Sequence, residues 1–273
     1  MPKKLAFLGP AGTHTEQALL NYDSGAIRTP YPSNSAVAGA VSSGLAEEGI
    51  VPIENSQEGP VNETLDMMIH DSILRIRHEL VLPIRNYLVA GQGTRAEDIK
   101  VVYSHPQALA QCRKFLAKHF PDADLVASMS TAAAVEEMLV YGGGAAAIAT
   151  KRASELYQVP ILAEEVNDNP NNLTRFVVLA PEDHHMTGSD KTSVGFSFDE
   201  DTPGILHKTL GEFADRGINL AKIESRPTRE NLGRYIFLVD LEGHREDPAV
   251  AEALASIAAR LLGEADALEI VAR

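Results

Sequence analysis

The sequence predicts an α/β protein in two parts: a two-lobed unit with a cleft between its lobes, then a smaller ferredoxin-like βαββαβ unit. Three observations carry this. Short apolar strands alternate with helical patterns through residue 180, a βαβ rhythm that builds mainly parallel sheets. A polar stretch from Pro181 to Asp190 then breaks the rhythm with turn formers and no hydrophobic period, as a linker does. Beyond Asp190 the pattern reads strand, helix, strand, strand, helix, strand, the ferredoxin-like order. The expected domains are 1–181 and 192–273, joined by a linker at 182–191.

In the first unit, Leu5–Leu8 reads as a strand, and a Gly-Pro-Ala-Gly turn leads into a helix over Thr15–Tyr22. Gly49–Ile53 is a strand and Val61–His70 a helix. Glu79–Val89 is extended and carries Pro83, so it is expected to cross from one lobe to the other. Strands at Lys100–Ser104, Leu125–Ala127 and Ala145–Ala149 alternate with helices at Pro106–Lys118, Thr131–Tyr141 and Lys151–Tyr157. Thr174–Ala180 returns as a strand. In the second unit Thr192–Phe198 alternates as a strand. Pro203–Arg216 comes next as a helix, with Pro203 suited to its first turn and Ile205, Leu206, Leu210 and Phe213 on one face. Asn219–Ser225 and Gly233–Leu241 are strands, Asp247–Leu262 a helix and Leu268–Ala272 the last strand. A unit this small buries a modest core, and an open sheet gains by pairing with a second copy. A homo-oligomer is therefore expected.

Bulk properties narrow the function classes. The chain has 273 residues, 44% of them hydrophobic, and a net charge of −14. With no basic run, nucleic acid is not an expected partner. An acidic chain repels anions, so an anionic ligand needs local donors such as helix N-termini or single Arg side chains. No apolar run is long enough to span a bilayer, and Leu5–Leu8 is too short for a signal segment. The single cysteine, Cys112, excludes an internal disulfide framework and reads as a small buried hydrophobe. A cytoplasmic protein without metal or cofactor is expected. His184-His185, in the polar linker, is expected to be solvated rather than metal-binding.

Several polar groups sit at strand ends, where such folds place their chemistry. Thr13 and Glu16 have capping-box spacing after the Gly9–Gly12 turn. That turn lacks both the Gly-Lys-Ser/Thr ending of a phosphate loop and the three-glycine dinucleotide spacing. Glu54-Asn55-Ser56 follows a strand and offers a carboxylate and hydrogen-bonding groups. Ser104-His105-Pro106-Gln107 joins a strand to a helix, and Gln107 and Gln111, four apart, share a side. His105 reads as a capping or packing residue in preference to an acid or base, and Ser130-Thr131 as a cap. An Asn-rich turn, Asn167 to Asn172, runs into Thr174-Arg175-Phe176 and crowds Asn172, Thr174 and Arg175 together. In the second unit, Glu224-Ser225-Arg226-Pro227 offers both charges, suited to a zwitterion.

These pieces together resemble the prephenate dehydratases: Gly9–Thr13, Val51–Ser56, Ser104–Gln107, Thr174–Phe176, Pro203–Leu206 and Glu224–Pro227. The resemblance implies a catalytic domain of the periplasmic-binding-protein kind and a C-terminal ACT domain. It implies a monofunctional enzyme turning prephenate into phenylpyruvate, with L-phenylalanine as feedback effector and a homodimer or homotetramer as assembly. It places Thr174, Asn55, Ser104 and Gln111 in the catalytic site, with Thr174 at the substrate hydroxyl. Arg175 becomes a candidate carboxylate clamp, with Glu54, Ser56, Gln107, Thr13 and Phe176 around the substrate. Gly204, Ile205, Leu206, Asn219, Leu220, Glu224, Ser225 and Arg226 become the effector site. Ile205 stands where the family often has Ala, which bears on effector identity. Arogenate dehydratase and a non-catalytic amino-acid sensor are the competing readings.

Overall fold

The computed structural model describes residues 2–198, 202–229, 233–261 and 268–272. By their contacts they divide into two compact units, Met1–Met67 with Leu80–Val177, and Met68–Glu79 with Val178–Arg273. The chain opens with β1 (Lys4–Leu8), α1 (His14–Tyr22), β2 (Ile27–Tyr31), α2 (Asn34–Ser42), β3 (Glu48–Asn55), β4 (Gly59–Pro60), α3 (Asn62–His70) and β5 (Arg75–Pro83). Next come β6 (Tyr87–Ala90), β7 (Val101–Ser104), α4 (Pro106–Gln111), α5 (Arg113–His119), β8 (Asp124–Ala127) and α6 (Thr131–Tyr141). Then come β9 (Ala145–Ala149), α7 (Lys151–Tyr157), β10 (Ile161–Ala163) and β11 (Leu173–Ala180).

Two sheets form the two lobes. One has the order β2-β1-β3-β11-β5 with β4 beside β3, and the other β10-β6-β9-β7-β8. In β1, Leu5, Ala6 and Phe7 are all buried, and so is every residue of β9. Such unbroken apolar runs mark strands covered on both faces. β1 runs parallel to β2 and β3, and β7 parallel to β8 and β9. β6, however, is antiparallel to β9 and to β10. β6 and β10 are thus antiparallel additions to a sheet whose other pairs run parallel as expected. β6 comes after the lobe crossing rather than after a crossover helix, so nothing imposes the parallel direction on it.

Local departures have local causes. β2 and α2 escape the sequence reading. β2 is a sheet edge, almost wholly exposed, where Pro30 is tolerated. α2 is short and Ala-rich, and its N-cap Ser33 accepts from Ala36 N at 3.1 Å. The extended segment 79–89 splits into β5 and β6, in different sheets. The helix expected over Pro106–Lys118 breaks at Cys112. There the Asp168 carboxylate accepts from Lys114 N at 2.9 Å and Phe115 N at 3.2 Å, while Asp168 N donates to Gln111 O at 2.8 Å. One residue thus ends α4 and caps α5.

The second unit contains β12 (Lys191–Ser197), α8 (Ile205–Ala214), β13 (Leu220–Pro227), β14 (Tyr235–Glu242), α9 (Pro248–Leu261) and β15 (Leu268–Ala272). Its antiparallel sheet has the order β13-β14-β12-β15, as a ferredoxin-like unit requires. Phe196, Phe213, Val239, Leu241 and Ile257 are buried in its core, with Leu206 and Leu210 packed against them. Ile205 is half-buried but outside that cluster. α8 starts later than expected: Gly204 caps it at φ 85°, a left-handed conformation, so Pro203 belongs to the preceding turn. Leu262, expected to end the last helix, lies outside the described residues.

The polar segment after β11 is held within its own unit. Arg245 Nε donates to Asp183 Oδ2 at 2.6 Å, and the His184 ring lies 5.6 Å from that of His244. Burial works to raise the Asp183 carboxyl, yet the hydrogen bond and charge of Arg245, with Arg75, hold it below the usual carboxylate range.

Candidate active site

Within the first unit a cavity of about 370 Å³ opens among the ends of these strands and helices. Its polar lining consists of Thr13, His14, Thr15, Asn55, Asn86, His105, Gln107, Gln111, Ser130, Thr131 and Thr174, with no Lys, Arg, Asp or Glu among the residues lining it. Two helices of three turns or so begin at its wall: Thr13 caps α1 and Ser130 caps α6, accepting from Glu16 N and Ala133 N. Free N–H groups and the helix dipole make such ends favourable for carboxylates.

The turn below α1 shows why glycine stands there. Gly12 has φ 86°, and a Cβ on it would lie 3.3 Å from Ala153 and Ala132. Thr150 Oγ1 donates to Gly12 O at 2.6 Å, and Gly12 N donates to Glu16 Oε2 at 2.7 Å. The Glu16 arm of the expected capping box therefore reaches Gly12 N.

The centre of the site is the amide of Asn55. Its Oδ1 accepts from Gln57 N at 2.9 Å and Glu58 N at 3.1 Å, which settles the orientation of the amide. Its Nδ2 then donates to Asn172 Oδ1 at 2.8 Å and Thr174 Oγ1 at 2.8 Å, with Leu173 O at 3.2 Å. Asn55 lines the cavity, but its hydrogen-bonding capacity is spent inside the protein. Thr174, by contrast, accepts from Asn55 and is left with its own O–H to donate. Thr174 and Phe176 are buried residues of β11 that line the cavity.

Other expected residues lie elsewhere. Ser104 is fully buried and donates to Ile148 O at 2.7 Å, so its hydroxyl holds β7 to β9 and is not among the cavity's lining. Arg175 alternates to the opposite face of β11 from Thr174 and Phe176. It lies 3.7 Å from Glu54, and neither side chain lines the cavity. The Arg175 guanidinium, expected as a carboxylate clamp, is thus not among the groups lining this cavity. Ser56 accepts from Leu173 N at 3.0 Å and donates to Asn171 O, securing the turn from outside the cavity. Gln107, Gln111 and Thr13 do line it, and Gln111 Nε2 donates to Glu58 Oε1 at 3.4 Å. His105 caps α4, accepting from Gln107 N at 3.3 Å, and also lines the cavity.

Sequence reading missed His14, Asn86 and the part played by the buried Asn172. His14 is pushed down to about 4 by burial, against a hydrogen bond to Asn86 that favours its charged form. It is a neutral ring at ordinary pH. Asn86 also donates to Cys112 Sγ at 3.7 Å, and burial pushes that thiol up to about 12. Only proximity in the fold marks these groups.

The residues expected to hold an effector occupy the second unit. Gly204, Ile205 and Leu206 start α8, and Asn219 and Leu220 lead into β13. Strand alternation puts Glu224 and Arg226 on one face with Lys222, and Ser225 on the other. Glu224 lies 3.2 Å from Lys222 and 3.9 Å from Arg226. Ser225 therefore does not share the face that Glu224 and Arg226 occupy.

Comparison with known proteins gives two family matches, prephenate dehydratase over residues 5–184 and the ACT domain over 200–259. Prephenate dehydratase of a Mycobacterium species (strain JLS) is 44% identical, over 94% of this chain and 85% of its own. The structure of prephenate dehydratase from Arthrobacter aurescens in complex with L-Phe superposes with a TM-score of 0.88 at 38% identity, covering 98% of this chain and 89% of that one. The quorum quenching acylase GqqA superposes with a TM-score of 0.86 at 28% identity, covering 98% and 96%.

Proposed function

The chain belongs to the prephenate dehydratase family, and we propose that it converts prephenate to phenylpyruvate in L-phenylalanine biosynthesis, under feedback by L-phenylalanine. Residues 1–181 form the catalytic domain, 182–191 the linker and 192–273 the ACT regulatory domain. The enzyme works in the cytoplasm as a homodimer or homotetramer. No helix among the described residues is long and apolar enough to cross a membrane.

The observation that carries the catalytic reading is the direction of the Asn55–Thr174 hydrogen bond. Prephenate has two carboxylates and a ring hydroxyl. The C–C bond to the ring carboxylate breaks and its electrons enter the ring. The C–O bond to the hydroxyl breaks at the far end, and the ring becomes aromatic. The driving force lies in the substrate, so the protein must hold two carboxylates and stabilise a departing oxygen. The helix starts at Thr13 and Ser130 receive carboxylates without a full positive charge. Thr174 is a poor acid, and it serves as a hydrogen-bond donor to the leaving hydroxyl. Gln107 and Gln111 supply neutral donors at the cavity wall.

Acylase chemistry, after which the 28% identical neighbour is named, needs a nucleophile beside a base. Here the Cys112 thiol is buried and the Ser104 hydroxyl is tied to Ile148 O. In the second unit, L-phenylalanine binds near Gly204–Leu206, Asn219-Leu220 and the Glu224–Arg226 face. The test is phenylpyruvate formation from purified prephenate, with and without L-phenylalanine. Turnover suppressed by L-phenylalanine is expected. Turnover of arogenate alone would replace the substrate, and no turnover of either by folded protein would leave an amino-acid sensor.

A further inference from the structure

We infer that Asn172 is a positioning residue for this reaction, holding the nitrogen end of the Asn55 amide in the place from which its hydrogen bond leaves the Thr174 hydroxyl free to donate. This rests on the catalytic reading above.

The two amides can be arranged in few ways. Asn55 Oδ1 faces two backbone donors, Gln57 N and Glu58 N, so its Nδ2 must point toward Asn172 and Thr174. An NH₂ group has two hydrogens. One goes to Asn172 Oδ1 and the other to Thr174 Oγ1, both at 2.8 Å. Asn172 is fully buried. Its carbonyl oxygen holds the Asn55 amide at its nitrogen end, as the two backbone donors hold it at its oxygen end. Without that acceptor the Asn55 amide can swing its hydrogen toward Leu173 O, already at 3.2 Å. Thr174 then loses its donor and turns its own hydrogen back into the protein. The substrate would meet a lone pair where it needs a proton donor. Asn172 does not line the cavity, so it acts only through Asn55 and Thr174. Its Nδ2 has no partner among the described residues. An asparagine that leaves a buried donor unmet, at a cost that buried polar groups ordinarily avoid, is kept for its oxygen.

The test is a double-mutant cycle on the full-length protein, reading kcat and KM for prephenate. Asn172→Ala is expected to lower kcat by roughly tenfold or more with KM changed less than about threefold. In the Thr174→Ala background the same substitution is expected to cost nothing further in kcat, because residues acting as one unit are non-additive. Asn172→Asp keeps the acceptor oxygen and loses no hydrogen bond, so it recovers most of the kcat that Asn172→Ala loses. It also serves as the readout should the alanine variant not fold. A wild-type kcat for Asn172→Ala, a full additive loss in the double variant, or an Asn172→Asp as slow as the alanine variant would each overturn the assignment. Absence of prephenate turnover by the wild type would instead remove the catalytic reading on which the test stands.

Discussion

At the scale of single residues, the site works by spending hydrogen-bonding capacity in a fixed order. Asn55 uses all of its own inside the protein, so that Thr174 has one left over. The Glu-Asn-Ser and Thr-Arg-Phe runs were legible in the sequence, and their residues do meet. What was not legible is which atoms face which, because Asn55 is held by the backbone of Gln57 and Glu58 at one end and by Asn172, outside both runs, at the other. Arg175 illustrates the same limit: adjacency in sequence to Thr174 puts it on the other face of the strand. His14 allows a separate check. Its folded pKa, about 4, lies below the ordinary value of 6.5. Between those values the unfolded chain binds the proton and the folded one does not. The stability contributed is therefore present above pH 6.5 and lost as pH falls toward 4. The effect is on the order of 2–3 kcal/mol across that window. Melting temperatures of wild type and His14→Phe from pH 7 to pH 4 should converge as pH falls, with the wild type showing the steeper loss. Parallel curves would contradict the buried, neutral ring.

At the scale of elements, the buried strands were legible because burial on both faces writes continuous apolar runs, as in Ala145–Ala149, while the exposed edge strand β2 left no such run. The break between α4 and α5 was not legible either, because the residue that causes it, Asp168, lies more than fifty positions away. Asp168→Ala removes a cap made by two backbone hydrogen bonds and is expected to destabilise the protein by about 1–2 kcal/mol. It should also lower turnover, since α4 carries Gln107 and Gln111 into the cavity. Chemical denaturation together with kcat measures both. The Gly12 turn is a second case. Its φ of 86° and the 3.3 Å approach of Ala153 leave no strain-free place for a methyl group. Gly12→Ala is expected to lower stability by about 1–3 kcal/mol. An unshifted denaturation midpoint would show that the turn relaxes without cost.

At the scale of the whole molecule, an acidic protein of net charge −14 is assigned a dianionic substrate through a cavity lined by neutral groups and helix starts. The division into a two-lobed unit and a ferredoxin-like unit was legible from the order of elements. The antiparallel direction of β6 and β10 was not, since pairing partners distant in sequence leave no local pattern. Feedback belongs at this scale too. Arg226→Ala removes one charge from the Glu224 face and is expected to weaken inhibition by L-phenylalanine about tenfold, within the usual 1–3 kcal/mol of allosteric coupling. Uninhibited turnover should stay near that of the wild type. Full inhibition of a folded Arg226→Ala protein would place the effector elsewhere. The measurement that bears most directly on the catalytic account is kcat for prephenate in Thr174→Val and Thr174→Ser. Valine keeps the shape and removes the donor, whereas serine keeps the donor. Loss of an aligned donor costs roughly 3–4 kcal/mol, or on the order of 10²–10³ in rate. The valine variant should fall by that much and the serine variant by less than about tenfold, both with native melting behaviour. Similar kcat values for valine and wild type would contradict the assignment of the Thr174 hydroxyl to the leaving oxygen.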